Sequence, residues 1–394
     1  MFHRIPPVGN PISWSHPAPP PTLVADNEQC FFVQSGTAAL AQALVIAKSA
    51  FTTDTPEVIV PGYACPDIIS AAVYAGITPV LVDLEPDRPY MSLSEIENAV
   101  TDHTVAIIAI NFMGIPERIA AIRGSLGDSG IIVIEDSAQW YPDSYGETPI
   151  SSSYQGDLVI LSFGKGKPLS LMGGGALLIK DSKLSASVEK ETFAEGKKSH
   201  SSSTLKTKLT TNLKTKLLYT AYNVAISPYG YWLLELLPWI KLGETHYEQL
   251  DEINPIDNNR LYLLASNQKQ YQNRQTKAQK ALGDMLTSTQ QKLMALPNQC
   301  ETYQGQRLLR YPVLLPYSEA RDIALTSMQK MGCGASRLYP AILSNIEGAR
   351  EHIKQPSPLP NATDFASRLI TLPTHNAVSN HHITAIQKAL QLND

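Results

Sequence analysis

From residue 30 to about residue 180, hydrophobic positions come in short unbroken runs instead of alternating with polar ones. FFVQ (31–34), EVIVP (57–61), TPVLVDL (78–84), TVAIIAIN (104–111), IIVIED (131–136), LVILSF (158–163) and GALLIK (175–180) each predict a strand. Between several of them lie stretches with apolar residues at helical spacing: TAALAQALVIAKS, DIISAAVYAG, SLSEIENAV and PERIAAIRGSL. A strand without polar alternation is buried on both faces, and helices in the connections supply the right-handed crossovers that bury it. The expected fold class is therefore α/β, a mostly parallel sheet sandwiched by helices. Any ligand should sit at the carboxyl ends of the strands.

The pattern changes after Lys180. Residues 196–216 are polar and basic, with LKTK at 205–208 and again at 213–216, a repeat too short for a solenoid. Residues 217–242 are apolar and aromatic, yet Asn223, Pro228, Glu235 and Pro238 argue against a spanning helix. A pair of helices packed on the core or on a partner subunit is expected. The alternative is peripheral membrane contact through 206–242, with Lys206, Lys208, Lys214 and Lys216 near lipid phosphates. Farther on come a long polar helix candidate (Asn258–Leu286), a strand-like run (307–315), a helical stretch (318–332), the apolar SRLITLPTH and a terminal helix, HHITAIQKALQL. Three parts are expected: an extended Pro-rich arm (1–29), a large domain (30–254) with a basic and apolar insertion at about 196–250, and a smaller C-terminal α+β domain (255–394).

Composition narrows the classes. A hydrophobic fraction of 43% over 394 residues can bury a substantial core, and a net charge of −4 does not suit a nucleic-acid binder. Cys30, Cys65, Cys300 and Cys333 are scattered without a CxxC pair, which fits a reducing compartment better than a disulfide framework or a metal site. The first residues lack the apolar core of a signal peptide, so a cytoplasmic protein is expected.

Three predicted strand ends carry chemistry. After FFVQ the SGT turn opens a helix: Gly36 permits close backbone approach, and the amides of Thr37 and Ala38 can face an anion, with hydroxyls from Thr37 and Ser162. Taken alone, the same turn reads as a helix cap by Ser35 or Thr37. After IIVI, either Glu135 or Asp136 faces the crevice; a carboxylate there can keep a pyridine nitrogen protonated, or simply cap the next turn. After LVILSF, Lys165 and Lys167 share one turn, where a neighbouring cation would lower the pKa of an amine meant for covalent chemistry. GKGK invites a nucleotide-loop reading, but Leu161 stands where its first glycine belongs and Pro168 where its Ser or Thr belongs. A phosphate cradle, a carboxylate and an amine together are what pyridoxal 5′-phosphate requires.

SGTAAL (35–40), VIVPGYACPDIISAAVYAGITPVLVDLE (58–85), VIEDSAQ (133–139), SFGKGKPLSLMGGGAL (162–177) and LITLPTHNAVSNHHITAI (369–386) resemble the DegT/StrS family of fold-type I, pyridoxal-phosphate-dependent sugar aminotransferases. The resemblance implies Asp136 as partner of the pyridinium, Gln139 as contact to the ring hydroxyl and Ser162 as phosphate ligand. The family's S-F-x-x-x-K-x-L falls on Ser162, Phe163, Lys167 and Leu169, which favours Lys167 as the cofactor lysine. Sister dehydratases carry histidine there, so the lysine implies transamination. It further implies a homodimer with shared active sites, in which an asparagine from the partner, Asn258 of NNRL (258–261), completes the phosphate site. The chain departs from the family at Cys65, where an aromatic usually stacks on the ring, leaving that role to Tyr63. It also departs at Asn111 to Gly114 in place of H-x-x-G, and at the insertion. The expected reaction moves an amino group from an amino-acid donor, glutamate, to a keto group of a nucleotide-linked sugar, for polysaccharide, glycolipid or glycoside biosynthesis. The rivals are a pyridoxal-phosphate enzyme acting on a different or lipid-linked carbonyl, and a regulatory protein of the same fold without turnover. Tyr339 can contact substrate but reads first as a structural tyrosine, and His375 as a satisfied surface or core histidine.

Overall fold

The computed structural model describes residues 4–14, 17–143, 148–184, 213–236, 246–288 and 293–390. Its large sheet has seven strands: β1 (Gln29–Val33), β2 (Glu57–Pro61), β3 (Thr78–Val82), β4 (Thr104–Ile110), β5 (Ile132–Asp136), β6 (Leu158–Ser162) and β7 (Gly175–Ile179). They stand in the order β1-β7-β6-β5-β4-β2-β3, and every pairing from β6 to β3 is parallel. Each predicted strand forms; β1 begins two residues before its predicted start, and most of the others lose one or two residues at an end.

Only β7 runs against its neighbours, antiparallel to both β6 and β1. The connection from β6 to β7 is the loop 163–174, which contains no helix to carry the chain back across the sheet. β1 therefore runs parallel to β6, and the carboxyl ends of β1, β5 and β6 share one edge. Helices α1 (Gly36–Ser49), α2 (Asp67–Ala75), α3 (Leu93–Ala99) and α4 (Ile119–Leu126) link the first five strands. α1 is enclosed almost all round, which its alanines allow by letting the sheet and α2 approach closely.

After the insertion helices α5 (Leu213–Ala225) and α6 (Pro228–Glu235), the chain builds α7 (Asn258–Leu261), α8 (Leu264–Gln272) and α9 (Lys277–Thr287). A three-stranded antiparallel sheet follows, β8 (Met294–Ala295), β9 (Arg310–Leu314) and β10 (Leu369–Pro373), with α10 (Ser318–Lys330), α11 (Pro360–Arg368) and α12 (Asn380–Leu390). The single helix expected over Asn258–Leu286 is thus three helices. Its main break has a physical cause: Arg307 Nη2 donates to the carbonyls of Gln272 (2.8 Å) and Arg274 (3.0 Å), satisfying the end of α8 with a cation.

The described part of the insertion holds a pair of helices, split where Ser227 caps α6 and Pro228 opens it. The basic residues up to 212, and Pro238, lie outside the described residues. Among the described residues no helix is long and apolar enough to cross a membrane, and no cluster of His, Cys, Asp or Glu could hold a metal ion.

Candidate active site

Val33 and Ser162 both pair with Gly175, so the turn after β1 and the end of β6 lie side by side. A Cβ at Gly36 would sit 2.7 Å from the Cβ of Ser162 and 2.8 Å from its Oγ, so only glycine lets the start of α1 come this close. Ser35 caps α1, its Oγ accepting from the Ala38 N–H at 3.0 Å. That corrects one expectation: the Ala38 amide is spent on the cap, and Ala38 does not line the cavity. The amides of Gly36 and Thr37, which do line it, donate to no described residue. Thr37 Oγ1 donates to Asp67 Oδ2 at 3.2 Å, an acid that as a sequence reads only as the first residue of a helix.

At the end of β5 the two acids part. Glu135 is enclosed and accepts from Asn111 Nδ2 (2.8 Å) and from the N–H groups of Gln155 (2.7 Å) and Gly156 (2.8 Å). Asp136 lines the cavity. Its Oδ1 accepts from the Ala138 N–H at 2.9 Å, and no described residue donates to Oδ2. Burial pushes its carboxyl pKa up, and the charge on Lys167 works against that rise.

Lys165 and Lys167 both line the cavity from the loop 163–174, where Gly166 (φ 74°) takes a left-handed turn between them. Asn10, in the N-terminal arm, donates through Nδ2 to the carbonyls of Lys167 (3.2 Å) and Pro168 (3.4 Å). Arg274 Nη1 in turn holds Asn10 Oδ1 at 2.8 Å. The arm is therefore a clamp on the lysine turn, a role no local motif signals because its partner lies so far along the chain.

Gln139 accepts from the Met113 N–H at 2.9 Å and donates through Nε2 to Tyr339 Oη at 2.7 Å. Tyr339, read as structural from sequence, lines the cavity beside it. Tyr63 also lines it, with its hydroxyl held by the carbonyl of Arg337 (3.1 Å) and its ring edge-on to Tyr339 and Phe365, centroids 5.5 Å apart in each case. Cys65 occupies the adjoining wall, and burial pushes its thiol up to about 12, so it is a neutral packing group there. Asn258 is exposed on α7 and does not line the cavity of its own chain. His375 is buried, its Nε2 2.8 Å from the carbonyl of Pro6, and burial pulls it down to about 4.

The enclosed space is about 260 Å³. It presents two uncommitted amides and Ser162 at one end, the Asp136 carboxylate at depth, and a lysine amine. That donor set fits the phosphate, ring nitrogen and aldehyde of pyridoxal 5′-phosphate. The glycine-dependent approach of α1 to Ser162 is what makes the phosphate end a cradle.

The sequence profile of the DegT/DnrJ/EryC1/StrS aminotransferase family matches residues 24–223 and 261–391. The UDP-N-acetyl-3-dehydro-alpha-D-glucosamine 3-aminotransferase of Acidithiobacillus ferrooxidans is 33% identical over 169 residues, 42% of this chain and 44% of that protein. The GDP-perosamine synthase of Escherichia coli O157:H7 is 30% identical over 152 residues, 39% of this chain and 40% of that protein. The chain thus spans less than half the length of these curated relatives. The solved DegT DnrJ EryC1 StrS aminotransferase from Brucella abortus matches with a TM-score of 0.64 and 18% identity, over 92% of this chain and 85% of that one, a likeness of fold.

Proposed function

The chain belongs to the DegT/DnrJ/EryC1/StrS aminotransferase family, and we propose that it transfers an amino group from glutamate to a keto group of a nucleotide-linked sugar, with pyridoxal 5′-phosphate as cofactor. The observation that carries this reading is that Asp136, Lys167 and the open amides of Gly36 and Thr37 line one cavity at the carboxyl edge of the sheet. Both relatives above are nucleotide-sugar enzymes by name, which supports the acceptor class.

When bound, the cofactor supplies an electron sink for the pair left on a substrate carbon that loses its proton. The protein does the rest. Gly36, Thr37 and Ser162 would hold the phosphate. Asp136 would face the ring nitrogen and favour its protonated form. Gln139, fixed by Met113 and Tyr339, has a second amide hydrogen to give the ring hydroxyl. Tyr63 would border the ring, and Asn258 would reach the phosphate held by a partner subunit. Lys167 would anchor the cofactor, and its amine would take a proton from the donor carbon and return it during transfer to the acceptor.

The test is chemical. Protein reconstituted with pyridoxal 5′-phosphate should acquire a visible chromophore that glutamate bleaches, and borohydride followed by peptide mapping should find the label on Lys167. Failure to take up the cofactor sinks the reading; label on Lys165 sinks only the residue assignment.

The reading includes a cytoplasmic homodimer. Leu217, Val224, Tyr229 and Leu233 on α5 and α6 are 70%, 59%, 69% and 56% exposed, an apolar face that a second copy would cover. Light scattering should give a dimer that a Leu217→Glu, Leu233→Glu variant shifts to monomer. A wild-type monomer that floats with anionic vesicles instead would transfer this face to a membrane.

A further inference from the structure

Outside the inner cavity lies a wider vestibule of about 1640 Å³, sharing Cys65, Gln139, Lys165, Lys167 and Tyr339 with it. Three arginines stand in its wall, and two of them have acids. Arg4 pairs with Glu235, and Arg337 reaches Asp322 at 3.6 Å. The third, Arg310, opens β9 and has no carboxylate partner among the described residues. Its Nη1 donates to Ser336 Oγ at 2.6 Å and to Thr371 Oγ1 at 3.4 Å. Its Nε is buried without an acceptor, and no described residue accepts from Nη2.

Such a residue is costly. Burial lowers its pKa to about 10, which leaves the guanidinium charged at neutral pH. Tyr63, Tyr231 and Tyr339 lie near enough to feel that charge, but burial pushes their hydroxyls up and they remain neutral. The side chain as a whole is half-buried against the vestibule, so its charge has no counter-charge in the fold yet can meet an anion that enters. Here it stands in the wall of the space that a substrate must enter to reach Lys167.

The geometry points to Arg310 as the residue that binds a carboxylate carried by the reacting substrate. The inference rests on the aminotransferase reading and deepens it. A carboxylate fits better than a diphosphate because Arg310 supplies a single charge, Arg4 and Arg337 are already committed to acids, and Lys165 and Lys167 stand where the vestibule meets the inner cavity. The carboxylate can come from the amino-acid donor or from a sugar acceptor that bears one, and the two sources give different results below.

Full-length protein reconstituted with pyridoxal 5′-phosphate is titrated with glutarate by calorimetry, and each half-reaction is followed separately. Arg310→Gln should weaken glutarate binding and raise the KM for glutamate, each by about 10–100-fold, the effect of one charged hydrogen bond to ligand. Arg310→Lys should recover part of the loss. If only a carboxylated keto-sugar loses affinity in Arg310→Gln, the acceptor is the source and the site stands. If neither glutarate, glutamate nor such a sugar is affected, the site is wrong. Because Arg310→Gln also removes the bonds to Ser336 and Thr371, wild-type protein is also titrated with the uncharged diamide of glutaric acid and with the uncharged amide of the carboxylated keto-sugar; if both uncharged forms bind as tightly as their carboxylates, the proposal is overturned without any variant. Protein that binds glutarate through Arg310 but transfers no amine would refute aminotransfer and keep the site. Amine transfer indifferent to Arg310 would do the reverse.

Discussion

Lys167→Ala is expected to lose turnover by at least about 10⁴-fold, the upper range for removal of a general acid–base group, since the same substitution also removes the covalent anchor. Lys165→Ala is expected to lose less than about tenfold, because Lys165 supplies neither the covalent anchor nor the transferred proton. Both lysines line the cavity, but Lys167 is the one whose charge acts on the Asp136 carboxyl and the Cys65 thiol. Its backbone is also the one fixed by Asn10. Rapid mixing of reconstituted protein with glutamate measures the first half-reaction, and circular dichroism checks that the variants fold. Added methylamine should restore part of the activity of Lys167→Ala, because a small amine can enter the space left and take up the proton. Lys167→Ala turning over within tenfold of wild type would remove this residue from the chemistry.

The sheet was legible in the sequence because its strands are buried on both faces. Runs such as VAIIAI have no polar position to blur them, and a parallel strand has no freedom to be anything else once helices flank it. The edge where the ligand should sit was legible for the same reason. Which of two adjacent acids faces that edge was not: strand alternation puts Glu135 and Asp136 on opposite sides, but only the positions of Asn111 and Gly156 fix which side is closed. Ala38 was misread because a helix start offers several amides, and the Ser35 side chain claims one of them. Asn10, Asp67, Tyr339 and Arg310 escaped for a common reason. Each works through partners brought together by the tertiary fold, and locally each resembles a turn residue, a helix cap, a core tyrosine or a strand-edge cation.

Asp136→Asn separates what the site does from what it costs. The variant keeps the size of the side chain and can still interact with the Ala138 N–H, but it cannot carry the charge that opposes a pyridinium. Removing one partner of a buried charge pair costs about 3–5 kcal/mol, which at about 1.4 kcal/mol per decade is roughly a 10²–10³·⁵-fold fall in the rate of the glutamate half-reaction. The pH dependence should change with it. Burial raises the Asp136 pKa, so the carboxyl of the cofactor-free protein keeps its proton to a higher pH than an exposed aspartate does. Cofactor affinity in the wild type should therefore fall as pH drops, beginning above the ordinary carboxylate range, and Asp136→Asn should be flat over that interval. The stability of the cofactor-free protein should move the opposite way. A carboxyl whose folded pKa is raised contributes stability below its unfolded pKa and loses it as pH rises through the folded one. Above its folded pKa the wild type holds a charge that burial disfavours and that Lys167 offsets only in part. Asp136→Asn should melt higher than wild type without cofactor and lose that advantage once pyridoxal 5′-phosphate is added, because the bound ring restores a counter-charge only to aspartate. Calorimetric scans of both proteins with and without cofactor measure the crossover. A variant less stable than wild type in both states would show that Asp136 serves the fold rather than the cofactor.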